Sequence, residues 1–213
     1  MKDIYIFTGL GADERVFHKI NFGNNRVTHI KWITPNANES LTQYAQRLTQ
    51  QITTPLPILI GLSFGGMVAI EVAKCVAVAK IILISSAKNK SEIPPYYKWA
   101  GKVRLHKIIN ASLLVRANKL TNAFFSVRSA DDRKIISSMM GASNVVFLNW
   151  AIDKIVHLQN TTTHANVVHI HGTADRILPF KYVQPTIAIK GGRHLMIMNK
   201  AKLVEEKIRQ ALA

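Results

Sequence analysis

Three residues far apart in the chain have the chemical types of a nucleophile, a base and a carboxylate. Ser63 lies in Gly61-Leu62-Ser63-Phe64-Gly65-Gly66, after the apolar run Ile58-Leu59-Ile60 and before an apolar stretch reaching Val76. A G-x-S-x-G between a strand and a helix makes a turn so tight that the residues two before and two after the serine nearly touch, so both must be small. The turn holds the hydroxyl above the sheet at a helix N-terminus, whose partial positive charge favours a developing anion. A serine hydroxyl is a weak nucleophile near neutral pH and needs a base within hydrogen-bond reach. His194, in Gly191-Gly192-Arg193-His194, is the candidate base. The base in turn needs a carboxylate to fix its tautomer and stabilise its cation, and Asp175, in His171-Gly172-Thr173-Ala174-Asp175, is the candidate. Side chains in these roles perform acyl transfer, which also requires N–H donors for the oxyanion. The backbone N–H of Phe64 is assigned as one donor and that of Leu10, in Thr8-Gly9-Leu10-Gly11, as the second.

Other reactive side chains carry less. His169 and His171 alternate on one side of a strand and suggest a metal pair, but no third ligand stands at a sensible spacing. They are read as packed strand histidines, and no metal is expected. His18, His29, His106, His157 and His164 have no partner pattern, Cys75 is expected in the core on a buried helix, and Asp153 is a poor rival to Asp175.

The elements that must position these residues alternate. Ile4 to Thr8 reads as a strand, Asp13 to Ile20 as a short helix, and Val27 to Ile33 as a second strand stopped by Thr34-Pro35. Ser40-Leu41-Thr42-Gln43 is a capping box, in which serine and glutamine side chains each satisfy a free backbone N–H. Leu41, Tyr44, Ala45, Leu48 and Ile52 then share one helical face. Ile58 to Ile60 is the third strand, Met67 to Val76 a helix apolar nearly all round, and Ile81 to Ile84 a strand buried on both faces. From Lys88 to about Asn160 the alternation stops, and helical patterns take over, the last around Val145 to Leu158. Strands return at Val167–Ile170 and Thr186–Ile189, and an amphipathic helix follows Asn199. Strands alternating with helices imply a parallel sheet covered on both sides. Such sheets bind ligands beyond the strand C-termini, where Ser63, Asp175 and His194 all fall.

Composition narrows the class further. The chain has 213 residues, 48% hydrophobic and 19% charged, which suits one globular domain with a modest insertion. No apolar run approaches the ~20 residues of a membrane helix. The N-terminus lacks the apolar core and cleavage site of a secretory signal, and the single cysteine excludes an internal disulfide framework. A cytoplasmic location is therefore expected. The net charge is +16, and between Lys88 and Lys134 eleven lysines and arginines face only Glu92, Asp131 and Asp132. There is no tight basic block and no nucleic-acid motif, so no nucleic-acid partner is expected.

These residues resemble the α/β-hydrolase superfamily, whose triad runs in the order Ser, Asp, His. The resemblance covers nearly the whole chain: the Gly9-Leu10-Gly11 loop, the elbow at Ser63, the HGTAD strand end, the GGRH loop and the closing helix. It implies a three-layer α/β/α sandwich with a mostly parallel sheet of about six strands, lacking the family's N-terminal hairpin. Residues 1–87 and 161–213 would form the core, and 88–160 a helical lid. It also implies hydrolysis of a small-molecule carboxylic ester without a cofactor. Thr8 departs from the pattern, standing where many members carry histidine. The basic lid keeps open a thioesterase or acyltransferase acting on an anionic acyl carrier. A non-catalytic protein that uses the pocket only to hold a ligand is the alternative of another class.

Overall fold

A computed structural model of the protein describes residues 1–104, 129–162 and 164–213. Short runs rich in isoleucine and valine, side chains that suit a pleated and buried surface, build one sheet. Its strands are β1 (Asp3–Phe7), β2 (Arg26–His29), β3 (Ile58–Leu62), β4 (Lys80–Ile84), β5 (Val167–Gly172) and β6 (Ile187–Ile189). They lie in the order β2-β1-β3-β4-β5-β6, every neighbouring pair parallel. The central strands are apolar on both faces because both faces are covered. Tyr5, Phe7, Leu59 and Leu83 enter one core, while Ile4, Ile6, Ile58, Ile60, Ile82 and Ile84 enter the other.

The first core is closed by α1 (Leu41–Leu48) and α2 (Phe64–Val72). The capping box opens α1, with Gln43 N–H donating to Ser40 Oγ at 3.2 Å and Ser40 N–H to Gln43 Oε1 at 2.9 Å. All nine residues of α2 are buried, which explains why its sequence shows no polar face. The second core is closed by α6 (Met196–Asn199) and α7 (Ala201–Leu212), the latter through Val204, Ile208, Ala211 and Leu212. Between β4 and β5 the chain forms α3 (Pro95–Lys102), α4 (Ala130–Gly141) and α5 (Val145–Val156). The stretch of the expected helical insertion at 105–128 lies outside the described residues.

Several boundaries differ from the sequence expectation. The expected helix at Asp13 to Ile20 is a single 3-10 turn, Glu14–Phe17. β2 ends at His29 instead of Ile33, because Lys31 pairs its backbone with the Gln51 side chain while Trp32 turns toward the loop after β1. α2 stops at Val72, so Cys75 is exposed, its Sγ 3.7 Å from the Glu71 carbonyl, and is not a core residue. The chain must turn there to bring Ala79 N–H onto Pro57 C=O ahead of β4. The short α6 has no counterpart in the expected elements.

This topology fixes where a site can form. The connection from β1 runs to β2 on one side and that from β3 runs to β4 on the other, so the two diverge at the boundary between β1 and β3. In open parallel sheets the crevice at such a reversal, beyond the strand C-termini, is the ligand position. Among the described residues no single helix is long and apolar enough to cross a membrane.

Candidate active site

The elbow follows directly from close packing. Gly61 ends its approach against α2: a Cβ there would lie 2.3 Å from Gly66 Cα. Gly65 is small for another reason, since a Cβ would lie 2.2 Å from the Thr8 carbonyl at the end of β1. Between them Ser63 adopts φ 52° and ψ −122°, a region costing a non-glycine residue about 1–3 kcal/mol. Three hydrogen bonds hold it there: Ser63 N–H to Ile84 C=O at 2.9 Å, Gly66 N–H to Ser63 C=O at 2.9 Å, and Ser86 Oγ–H to Ser63 C=O at 2.6 Å. The result is a half-buried hydroxyl at the N-terminus of α2.

The loops after β5 and β6 are zipped together. Gly172 leaves no room for a side chain, its Cβ position being 2.2 Å from the Gly192 carbonyl. That contact lets Ala174 N–H donate to Gly192 C=O at 2.9 Å and Thr173 N–H to Ile189 C=O at 3.0 Å. Asp175 and His194 ride on these two loops and are both buried, at 4% and 3% exposure. His194 Nδ1 lies 2.8 Å from Asp175 Oδ2, and His194 Nε2 lies 2.8 Å from Ser63 Oγ. A carboxylate only accepts, so Nδ1 carries the proton and Nε2 offers a lone pair to the serine O–H. The three residues predicted from types and spacing therefore meet in one hydrogen-bonded line.

The carboxylate is anchored on its other oxygen. Asp175 Oδ1 accepts from the N–H groups of Ile177 (2.8 Å) and Leu178 (3.0 Å). Burial pushes the Asp175 carboxyl up. Attraction to His194, the hydrogen bond from it, attraction to His171 and the Leu178 N–H together outweigh that and hold it below the usual carboxylate range. Asp175 is therefore charged across the neutral range.

Around Ser63 the loop after β1 supplies the opposite wall. Ala12 N–H donates to Gly9 C=O at 3.1 Å, closing a turn that leaves the Leu10 N–H unused by that bond. Phe64 is the first residue of α2, so its N–H is one of the donors a helix does not consume itself. Beside this loop opens a cavity of about 220 Å³, walled by Gly11, Trp32, Ile33, Met139, Ser143 and Phe147. Trp32 stacks on Phe147 at 5.2 Å between ring centroids and meets Phe64 at 5.9 Å. α4 rests on the loop through Asp13 N–H to Met139 Sδ (3.4 Å) and through the Lys19–Asp132 ion pair (2.7 Å).

Asp153 stays away from this site, paired with Lys154 and His157. Trp32, which no sequence pattern singles out, joins this neighbourhood. Trp32 Nε1–H donates to Thr8 Oγ1, and that hydroxyl donates to the Ala12 carbonyl, both at 2.9 Å. Thr8 thus braces the loop through its side chain. His171, read only as packed, lies 3.4 Å from Asp175 Oδ2. Among the described residues no group of three or more histidine, cysteine or acidic side chains could hold a metal ion.

A fully parallel sheet with a strained serine elbow after β3 and an aspartate–histidine pair on the loops after β5 and β6 defines an α/β hydrolase fold. The chain belongs to the alpha/beta hydrolase family, whose sequence profile matches residues 12–206. Comparison with curated proteins finds no sequence match. Among solved structures it is similar to an esterase from Exiguobacterium antarcticum (TM-score 0.77, 14% identity, covering 100% of this chain and 92% of that one). It is also similar to a thermophilic esterase from Thermogutta terrifontis (TM-score 0.71, 16% identity, 100% and 89%). A bromoperoxidase from Bacillus anthracis shares the fold as well (TM-score 0.70, 17% identity, 100% and 92%). At these identities the likeness is one of fold.

Proposed function

We propose that the protein is a serine hydrolase that cleaves a carboxylic ester through an acyl-enzyme. The observation that carries this is the line of two 2.8 Å contacts from Ser63 Oγ through His194 to Asp175. In the proposed cycle Ser63 Oγ bonds to the ester carbonyl carbon while its proton passes to His194 Nε2. The oxyanion rests on the N–H groups of Phe64 and Leu10. As the carbonyl re-forms, the C–O bond to the alcohol breaks and His194 returns the proton to the leaving oxygen. Water then attacks the acyl-serine, giving its proton to His194, and collapse releases the acid and restores the Ser63 O–H. Asp175 stays ionised throughout and stabilises the imidazolium, as its lowered pKa supports. The solved esterases of the same fold support the ester assignment.

The cavity between the loop after β1 and helices α4 and α5 would take the acyl group, making residues 88–160 a lid over the core. No cofactor enters this cycle. The lone cysteine suits a reducing compartment, and we read the activity as cytoplasmic. The test is turnover of a panel of esters of graded acyl length by wild type and Ser63→Ala. Loss of about 10⁴–10⁶ in turnover is expected, and a Ser63→Ala protein as active as wild type would overturn the assignment.

A second reading rests on the basic run from Lys88 to Lys134. A thioesterase or acyltransferase acting on an anionic acyl carrier would show a KM for the charged substrate that rises steeply with salt, while that for a neutral ester stays flat. A salt-independent ratio of the two KM values excludes it.

A further inference from the structure

The paired histidines of β5 have no part in the cycle above, yet they lie directly behind it. We propose that His171 is a positioning residue for the triad, a neutral imidazole protonated on Nε2 that fixes the Asp175–Leu178 turn and thereby aims the carboxylate at His194. The proposal rests on the hydrolase reading and deepens it.

The protonation pattern is forced one contact at a time. His171 Nε2 lies 2.8 Å from the Leu178 carbonyl and 3.4 Å from Asp175 Oδ2. Both partners can only accept, so Nε2 must carry the proton. His171 Nδ1 lies 3.2 Å from His169 Nε2, with the two rings nearly perpendicular. With His171 neutral, its Nδ1 is a lone pair, and His169 Nε2–H is the donor that fills it. The other tautomer would set the bare Nε2 lone pair against a carbonyl and a carboxylate, and His169 guards against it. Both rings are wholly buried, where an unpaired polar group is costly.

His171 closes a small ring of bonds with the triad carboxylate. Leu178 gives its N–H to Asp175 Oδ1 and receives the His171 N–H on its carbonyl. The same His171 proton faces Asp175 Oδ2, the oxygen that accepts from His194. Removing it would free the Leu178 carbonyl and release one wall of the aspartate turn without touching Ser63 or His194. The ionisable groups bearing on the pair are Asp175, His194, Glu92 and, toward His169, Lys88. Burial is the largest influence on His171 and keeps it neutral, against the pull of Asp175 and the Leu178 carbonyl.

The direct test needs no mutation for its readout. Two-bond nitrogen–proton correlation spectra of uniformly ¹⁵N-labelled wild type at pH 7.5, with His171 assigned by its absence in His171→Gln, should show a neutral ring protonated on Nε2. An Nδ1–H tautomer, or an imidazolium at that pH, would overturn the proposal. Kinetics supply the second arm. In His171→Leu, kcat should fall about 10- to 100-fold, the size expected when a reacting group is displaced by up to about 1 Å, with KM within about threefold. His171→Gln, which keeps an N–H donor near the Nε2 position, should recover most of the lost kcat. A folded His171→Leu with wild-type kcat, or equal impairment of both variants, refutes the positioning role. Wild type that hydrolyses no ester and leaves Ser63 unmodified by a fluorophosphonate would sink the hydrolase reading instead, and the spectra separate the two failures. Should His171→Leu not fold, the wild-type spectra decide alone.

Discussion

Acid should destabilise this fold through one buried ring, and the size of the effect can be worked out. His169 is wholly buried on β5. Burial above all, with repulsion from Lys88 added, lowers its pKa from 6.5 to about 3. In the folded protein the ring is therefore neutral, whereas in the unfolded chain it binds a proton below pH 6.5. A folded pKa below the unfolded one means that the stability is fully present above pH 6.5. It erodes as pH falls, until it is lost near pH 3. At pH 5 the unfolded chain gains 1.5 pK units of protonation, worth about 2 kcal/mol at about 1.4 kcal/mol per unit. The result is insensitive to the folded value, because any folded pKa below about 4 leaves the ring unprotonated at pH 5. The assay is urea unfolding of wild type and His169→Leu at pH 7.5 and pH 5.0, taking the double difference. His171, His29 and the carboxylates are common to both proteins and cancel to first order. The pH-independent cost of stripping the donor from His171 Nδ1 cancels as well. Wild type should lose about 2 kcal/mol more than the variant. Equal losses to within about 0.5 kcal/mol would show that the ring is not held neutral.

Three further perturbations probe the site and its supports. Asp175→Asn keeps the shape of the carboxylate but cannot hold the productive tautomer of His194, so kcat for ester hydrolysis should drop about 10⁴-fold; a loss below tenfold argues against the assigned role. Phe147→Ala enlarges the cavity beside the loop after β1, so the ratio of kcat/KM for a long acyl ester to that for a short one should rise about tenfold or more. An unchanged ratio would put the acyl group elsewhere. Ser40→Ala removes the N-cap of α1, far from the chemistry. It should lower stability by about 1 kcal/mol and Tm by about 2–4 °C, with kcat unchanged; unaltered melting would deny the capping box its role.

What the sequence revealed and what it hid follow the range of the forces involved. The elbow was readable because its constraints are local: Gly61 must accept Gly66 within a few residues of chain. The buried strands were readable because both faces are apolar. The Asp175 and His194 assignments needed only the rule that parallel strands end at one edge. Trp32 leaves no such trace, because its role depends on meeting Thr8 beyond the ends of β2 and β1, a contact 24 residues long that no periodicity records. His171 reads as a packed strand histidine from its spacing, but its partner is a carbonyl seven residues on, presented by a turn whose shape is set by Asp175. Cys75 is exposed although the apolar run suggests helix to its end, because the need to reach β4 unwinds the chain after Val72. The all-parallel pairing followed from alternation, yet its exact order, with β1 between β2 and β3, is a property of packing that local pattern does not encode.

Covalent capture tests the central claim most directly. Folded wild type treated with a fluorophosphonate should gain one adduct by intact mass, mapped by peptide sequencing to Ser63, and Ser63→Ala should gain none. A folded protein that stays unmodified, or that carries the adduct on another residue, would contradict the claim that His194 and Asp175 activate this serine.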